Sequence, residues 1–266
     1  MSGQGHQGSL GTLSEQGAEA AIGAACKSLY LSSAAKVAAP MAAEAARQRL
    51  SHQAYLAEVL THECDERADR ARARRIKEAK FPRPKRLEDL DLAQIPDLPA
   101  ATLTHLASGA WIDAGEPLVL LGDSGTGKTH LLIGLGTAAA EQGRRVRYIS
   151  TAALVNELIE AADAKTLSRL VGKYARLDLL CLDEVGYISL DDRGADLLFQ
   201  IITAREERAS IACASNAPFS EWGQTFTDPR LAAAVVDRLT FRGHIINTGT
   251  ESYRLKSTQQ KLVQTN

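Results

Sequence analysis

The sequence has few aromatic residues, few cysteines and no long apolar run. Phe, Trp and Tyr together make up 5% of the 266 residues. No stretch approaches the ~18–20 apolar residues that cross a bilayer, and the first residues lack the basic and apolar regions of a signal peptide. The cysteines contain no Cys-x-x-Cys pair, which argues against a zinc site or a disulfide framework; they are Cys26, Cys64, Cys181 and Cys213. We therefore expect a cytoplasmic protein with no membrane partner.

The rest of the composition is that of a globular protein. The apolar share is 45% and the charged share 24%, close to the averages for soluble domains. The formal net charge is only -1, but the charge is unevenly distributed. Residues 67–86 contain ten Lys or Arg side chains and only two acidic ones. This local excess favours a polyanion partner, and the alternative is a solvated helix face.

The first part of the chain is predicted to be a tail followed by helices. Residues 1–25 are rich in Gly, Ser and Gln, so we expect a disordered tail there. Residues 26–80 are expected to form a small helical extension that is basic at its end, because residues 42–80 contain neither Gly nor Pro. Helical spacing predicts one apolar face formed by Leu56, Leu60 and Cys64, with Val59 beside them.

A pair of prolines separates this extension from the core domain. Phe81-Pro-Arg-Pro stops the helix, since proline lacks a backbone donor and disfavours helix in the residue before it. Residues 81–100 are expected to be a linker, residues 101–256 the core domain, and residues 257–266 a short tail.

The core domain contains short apolar runs that alternate with helical patterns. The strands are predicted at residues 117–122, 146–150, 179–183, 210–215 and 244–248. The pattern after the first strand predicts a helix over residues 128–142, closed by Gly143. Five strands alternating with helices indicate an α/β fold with a five-stranded, parallel, doubly wound sheet.

A phosphate-binding motif lies between the first strand and the first helix of this core. Residues 122–129 match G-x-x-x-x-G-K-[ST] in full. Glycines let the backbone curl so that N–H groups and the helix N-terminus face a phosphate. Lys128 is expected to neutralise the β- and γ-phosphates, and Thr129 to hold Mg²⁺. The predicted cofactors are therefore ATP and Mg²⁺, and the nucleotide-binding residues are Gly122, Asp123, Ser124, Gly125, Thr126, Gly127, Lys128, Thr129 and His130.

Polar residues follow two later strands of the predicted sheet. Asp183 and Glu184 end the third strand, where the carboxyl edge of the sheet should place them beside the phosphate loop. Asp183 is expected to ligate Mg²⁺ and Glu184 to polarise the attacking water. Asn216 ends the fourth strand, where its amide would bind the γ-phosphate or orient water. The alternative for Asn216 is stabilisation of the turn before Pro218.

The basic run predicts contacts with a phosphate backbone, because Lys and Arg gain from counterion release without base-specific geometry. Few aromatic residues interleave with it, which argues against stacking on single-stranded bases. The candidate DNA-binding residues are Arg70, Arg72, Arg74, Arg75, Lys77 and Lys80.

Five segments together closely resemble the IstB family, whose members are AAA+ helper ATPases of bacterial insertion sequences related to the helicase loader DnaC. They are residues 122–132, 180–187, 214–216, 236–241 and 251–254. The resemblance extends over residues 29–255, and the run over residues 228–254 is more specific to the family than the phosphate motif. The resemblance implies an AAA+ fold, homo-oligomers with ATP at their subunit interfaces, assembly on double-stranded DNA, target selection, and stimulation of an IstA-type transposase.

The resemblance also implies roles for single residues. Asn216 is similar to the polar sensor of AAA+ proteins. An arginine near residue 238 reaches the γ-phosphate of the neighbouring subunit in such proteins; Arg238 is the first candidate for this catalytic role and Arg242 the reserve. Arg254 is a candidate second sensor.

Two other functions stay open from the sequence. One is a DnaC-like loader of a replicative helicase that binds single-stranded DNA. The other is a small-molecule kinase, which the acidic pair and the arginine-bearing segment disfavour, because they are typical of water activation between subunits.

Overall fold

The computed structural model describes residues 14–95 and 97–253. The chain divides into two units, Met1–Ala71 and Arg72–Asn266. Within the described residues, no helix combines the length and the apolar character needed to span a membrane. Arg254, the predicted tail at residues 257–266 and residues 1–13 lie outside the described part of the chain.

The described residues of the first unit, from 14 onwards, form three helices: α1 (Glu15–Ser28), α2 (Ala34–Gln48) and the beginning of α3 (His52–Ala79), whose last residues belong to the second unit. The predicted tail over residues 1–25 was wrong for its second half, because α1 begins at Glu15. The Ser14 hydroxyl accepts a hydrogen bond from the Gly17 N–H and caps this alanine-rich helix. The segment predicted as one helix over residues 42–80 is also interrupted, because Arg49 adopts a left-handed backbone with φ 54°.

The small core of this unit differs from the predicted apolar face. Val59 is buried beside Tyr55, whereas Leu56 and Leu60 are 55% and 45% exposed and Cys64 is exposed. The prediction of a face formed by Leu56, Leu60 and Cys64 was therefore wrong. The cause is that α1 and α2 pack on the neighbouring stripe of α3, through Cys26, Ala34 and Ala38.

A buried carboxylate ties α2 to α3 in this unit. Glu63 is 3% exposed, and its Oε2 accepts hydrogen bonds from the N–H groups of Ser33 (2.7 Å) and Ala34 (2.9 Å) at the start of α2. Its Oε1 lies 3.0 Å from an Arg67 nitrogen and 3.5 Å from an Arg70 nitrogen. The hydrogen bond from Ala34, more than the nearby arginines, lowers the pKa of this carboxyl.

We predict that Glu63→Gln destabilises the first unit, because it removes the charged acceptor from the N-terminus of α2. A lowered folded-state pKa means that the contribution is complete at neutral pH and is lost as the pH falls below the ordinary value of 4.5. Hydrogen exchange of the first-turn amides of α2 should therefore be faster in the variant at pH 7, with the difference shrinking on acidification. Glu44→Gln is the matched control, since Glu44 is 46% exposed and pairs only within its own helix. Equal exchange in the two variants would contradict the prediction.

The second unit is built on five parallel strands, which confirms the predicted sheet. They are β1 (Leu118–Leu121), β2 (Val146–Ser150), β3 (Leu179–Val185), β4 (Ser210–Ser215) and β5 (His244–Asn247), arranged in the order β2-β3-β4-β1-β5. Alternating side chains of β1 enter different cores. Val119 packs among the helices on one face, and Leu118 and Leu120 pack on the other.

Helices cover both faces of the sheet, as a doubly wound fold requires. They are α4 (Ala100–Ser108), α5 (Ala110–Asp113), α6 (Lys128–Glu141), α7 (Thr151–Asp163), α8 (Leu167–Ala175), α9 (Asp192–Arg205), α10 (Trp222–Thr225) and α11 (Pro229–Thr240). Three short 3₁₀ turns occur at Leu87–Asp89, Leu92–Gln94 and Phe219–Glu221.

The segment predicted as a linker packs against the core instead. We call residues 81–95 the strap. Its partly buried apolar side chains contact the same cluster as α6, and Ile95 is 2% exposed. Two glycines of α6 make room for it: a Cβ on Gly134 would lie 2.6 Å from Leu87, and one on Gly136 would lie 2.9 Å from Phe81. The prolines follow the end of α3, but the chain after them packs on the core and is not a linker.

Candidate functional site

The phosphate loop occupies the turn between β1 and α6. Gly122, Gly125 and Gly127 have φ of 145°, 91° and 99°, a backbone that residues with a side chain rarely adopt. Space adds a second restriction at Gly122, where a Cβ would lie 2.7 Å from the Gly249 carbonyl oxygen and closer still to the Thr248 hydroxyl. The loop therefore requires glycine for both conformation and clearance.

Hydrogen bonds from residues 248–253 hold the loop in place. The sequence analysis did not include these residues in the site. The Asp123 N–H donates to the Gly249 carbonyl at 3.0 Å, and the Tyr253 N–H donates to the Gly125 carbonyl at 3.1 Å. The Thr126 hydroxyl lies 2.6 Å from the Thr248 hydroxyl. No local pattern predicts these contacts, because they depend on the pairing of β5 with β1.

Lys128 lies beneath the loop. Its ammonium donates to the carbonyls of Gly122 (2.6 Å) and Asp123 (2.7 Å), and the residue is 9% exposed. These bonds keep the positive charge at the loop and compensate for its burial.

The predicted acidic pair lies just before the end of β3, within a bulge between Leu182 and Val185. Asp183 is 4% exposed, and its Oδ1 accepts the Glu184 N–H at 2.9 Å. Glu184 has a left-handed backbone with φ 60°, and such strain in a residue with a side chain is concentrated at functional sites. The bulge thus leaves Asp183 buried and Glu184 exposed.

Tyr148 is a site residue that the sequence analysis missed. Its hydroxyl donates to Oδ2 of Asp183 at 2.6 Å. Burial, with this hydrogen bond as the second cause, raises the pKa of Tyr148, so the hydroxyl remains a donor. It lies on β2 in register with Cys181 of β3. The order of the strands, which one sequence does not show, is needed to find this pair.

A cavity of about 570 Å³ brings most of the predicted residues together. One wall is the phosphate loop with the start of α6, and the opposite wall is the strap. Gly122 and Asp123 form the base of the loop outside the lining. The lining residues that the sequence predicted are Ser124, Gly125, Thr126, Gly127, Lys128, Thr129, His130, Asp183, Glu184 and Asn216.

The strap contributes polar residues to this cavity that were not predicted there. Arg83 and Lys85 line it, although the sequence placed both in the basic run outside the core. His130 Nε2 lies 2.8 Å from the carbonyl oxygen of Arg86, which fixes the strap to the first turn of α6. Asp89, Asp91 and Gln94 are the other polar residues of the strap that line the cavity.

Arg238 lies away from this cavity. Its Nε is 3.0 Å from the Glu206 carboxylate and its guanidinium lies 4.8 Å from the centre of the Phe199 ring. It lines a second, smaller cavity together with Arg242, whose guanidinium lies over Phe241 at 5.3 Å. Neither arginine is placed to act on the nucleotide of its own chain.

The basic run is divided among several environments. In the first unit, Arg70 lies 2.9 Å from the Ser32 hydroxyl in addition to its contact with Glu63. In the second unit, Arg75 is partly buried. The remaining candidates, on α3 or directly after it, are exposed to solvent: Arg72, Arg74, Lys77 and Lys80.

The donor set at the cavity fits Mg²⁺. Thr129 and Asp183 offer a hydroxyl and a carboxylate oxygen, and Mg²⁺ prefers oxygen ligands and keeps several waters. Within residues 14–95 and 97–253, no three His, Cys, Asp or Glu side chains cluster as a closed metal cage would require. Mg²⁺ in nucleotide sites is commonly held by one or two protein oxygens together with the phosphates.

This arrangement of a phosphate loop, an acidic pair and a parallel sheet defines a P-loop nucleotide-binding domain with an AAA+ fold. A solved structure of AMPPCP-bound DnaA from Aquifex aeolicus has the same fold, with a TM-score of 0.54 and 25% identity. That match covers 70% of this chain and 57% of the DnaA chain.

The model of the IstB-like ATP binding protein family matches residues 24–261, and the chain belongs to this family. An insertion sequence IS21 ATP-binding protein from Pseudomonas aeruginosa is 36% identical over 213 residues, which are 80% of each chain. An insertion sequence ATP-binding protein from Sinorhizobium fredii is 34% identical over 243 residues, which are 91% of this chain and 82% of that protein. The resemblance stated from the motifs is thereby confirmed.

We predict that Gly122→Ala weakens ATP binding by at least about ten-fold, since ~1.4 kcal/mol of strain corresponds to that factor. The added methyl group meets Thr248 and Gly249 and opposes the left-handed backbone. Binding of a fluorescent ATP analogue measures the effect. Gly223→Ala is the control, because no heavy atom lies within 4 Å of the added Cβ. Unchanged affinity in the Gly122 variant would refute the role assigned to this glycine.

Proposed function

We propose that this protein is an ATP hydrolase that assembles on duplex DNA and assists a transposase in DNA transposition and target selection. The observation that supports hydrolase activity is the cavity lined by the phosphate loop together with Thr129, Asp183 and Glu184. The similarity to ATP-binding proteins of insertion sequences supports the role in transposition.

The chemistry follows from the position of each side chain. Loop N–H groups and the N-terminus of α6 bind the phosphates, and Lys128 neutralises the β- and γ-phosphate charge. Thr129 and Asp183 would hold Mg²⁺, which supplies positive charge to the phosphate oxygens when bound.

Glu184 is the residue that we assign to the attacking water. Asp183 is occupied by two hydrogen bonds, whereas Glu184 is exposed at the cavity with no such restraint on its carboxylate among the described residues. Asn216 at the end of β4 lines the same cavity and would orient the water or bind the γ-phosphate. Polarising water with a carboxylate while an amide orients it is the division of roles that phosphoryl transfer to water needs.

Assembly would place ATP at the interface between two subunits. Arg238 and Arg242 line a different cavity from the nucleotide residues. This separation supports a role for one of them on the nucleotide of a neighbouring copy, where an arginine stabilises transition-state charge. Hydrolysis would then depend on the homo-oligomer, and an IstA-type transposase would act on the assembled form.

Contact with duplex DNA is assigned to the exposed cations at the end of α3 and directly after it. Lysine and arginine on one helix bind phosphates without reading bases. We assign this contact to Arg72, Arg74, Lys77 and Lys80, with Arg75 partly buried beside them.

We predict that Lys128→Ala loses ATP binding and ATP-dependent assembly, whereas Glu184→Gln retains binding and lowers the hydrolysis rate by at least about a hundred-fold, as loss of a general base does. A DNA complex formed with ATP should persist longer in the Glu184 variant. Single-turnover hydrolysis and native mass analysis of the complexes measure both effects. Glu160→Gln is the control, since Glu160 lies on α7 away from the nucleotide cavity. Normal turnover by Glu184→Gln would overturn the assignment of the base.

We predict that replacing Arg74, Lys77 and Lys80 by Gln weakens duplex binding in the presence of ATP. The slope of log K against log salt should fall by ~0.9 for each phosphate contact removed. The matched control replaces Lys165, Arg169 and Lys173, which are likewise exposed and remove the same charge.

Electrophoretic mobility shifts at several stated salt concentrations, with ATP, ADP or no nucleotide, measure both sets. An equal loss in the two sets would show that α3 makes no specific contribution. A preference for single-stranded over duplex DNA would support a helicase loader in place of a transposition helper.

A further inference from the structure

The Asp183 carboxylate is held by a donor on each oxygen. The Tyr148 hydroxyl lies 2.6 Å from Oδ2, and the Glu184 N–H lies 2.9 Å from Oδ1. Hydrogen bonds to an ionised carboxylate are stronger than neutral ones, and two of them restrict its rotation. Because a carboxylate has about four lone-pair positions, acceptor capacity remains for another ligand.

Tyr148 is itself fixed in place. It belongs to β2 and is in register with Cys181 of β3. Its ring lies against Phe81 of the strap, with ring centres 6.2 Å apart and a 58° tilt. Gly136 of α6 leaves room for both Phe81 and Cys181, since a Cβ there would lie within 3.0 Å of each. Because the Tyr148 ring is packed in this way, its hydroxyl is held in a fixed position beside Asp183.

We propose that Tyr148 is a positioning residue for the divalent cation of the nucleotide site. By fixing Oδ2 it holds the carboxylate in one orientation, with the remaining lone pairs available to the metal. This inference rests on the proposed role of Asp183 as a Mg²⁺ ligand. Tyr148 would touch neither nucleotide nor metal, and it acts through Asp183 as a hydrogen-bonded outer partner does in metal sites.

The chain offers a matched control for the loss of one hydroxyl. Tyr174 is buried where Tyr148 is partly buried, and its hydroxyl likewise donates to a carboxylate, that of Glu157, at 2.7 Å. Neither Tyr174 nor Glu157 lines the nucleotide cavity. Tyr174→Phe therefore removes the same kind of hydrogen bond at a place where no metal is proposed.

The test is the affinity of the full-length protein, saturated with a non-hydrolysable ATP analogue, for Mn²⁺ measured by electron paramagnetic resonance. Tyr148→Phe should raise the Mn²⁺ dissociation constant by about ten-fold or more, the usual effect of losing an outer partner of a metal ligand. Affinity for the analogue in the presence of EDTA should stay within about two-fold of wild type, and Tyr174→Phe should leave both constants unchanged. Thermal unfolding of each variant verifies that it is folded.

The Asp183→Asn variant distinguishes failure of the role of Tyr148 from failure of the proposed metal ligand. If Asp183→Asn weakens Mn²⁺ binding but Tyr148→Phe does not, the positioning role is overturned and the metal assignment stands. If Asp183→Asn has no effect either, the proposed metal ligand is wrong and the role of Tyr148 is overturned with it. An equal loss in Tyr148→Phe and Tyr174→Phe would show a general effect of stability and would also overturn the inference.

Discussion

A loop that points its backbone N–H groups at phosphate cannot also use those groups to hold itself together. Here side chains of the loop supply part of the support, and the rest comes from outside it, through the Gly249 carbonyl and the Thr248 hydroxyl. Both residues follow β5, the edge strand that pairs with β1. The phosphate loop therefore depends on the last strand of the sheet, although more than a hundred residues of sequence separate the two.

The strap provides the second support of the site, through its contacts with α6. Leu87 lies over Gly134, and the Arg86 carbonyl contacts His130. Phe81 packs on Tyr148, which in turn holds Asp183. The strap, which lines the cavity, directly follows α3. Few residues of the chain therefore separate the basic part of this helix from the nucleotide cavity.

The parts of the fold that were predictable are those in which a local pattern determines the structure. Short apolar runs ending in Gly122 or Asp183 are sufficient to indicate parallel strands and their functional edge. The break at Arg49 has no such signal, because an arginine adopts the left-handed backbone there. The contacts of Tyr148 and Thr248 depend on which strands are neighbours, and this order is not visible in one sequence. The prolines of the strap predict a linker, and they obscure the apolar spacing of Leu87, Leu90 and Ile95. For the same reason burial on α3 was misjudged, since only the positions of α1 and α2 show which stripe is covered.

The uneven charge of residues 67–86 illustrates why a count of charges does not define a binding surface. Within the first unit, Arg67 and Arg70 neutralise the buried Glu63. Within the second, Arg83 and Lys85 line the nucleotide cavity, where cations compensate phosphate charge whether or not DNA is present. What remains for a polyanion is the exposed middle of the run, on α3. A shorter run would make fewer phosphate contacts, so the proposed affinity of a single copy for DNA would be modest and its dependence on salt shallower than that of the whole run. Stable binding would require several copies side by side, which is the arrangement that ATP at subunit interfaces would control.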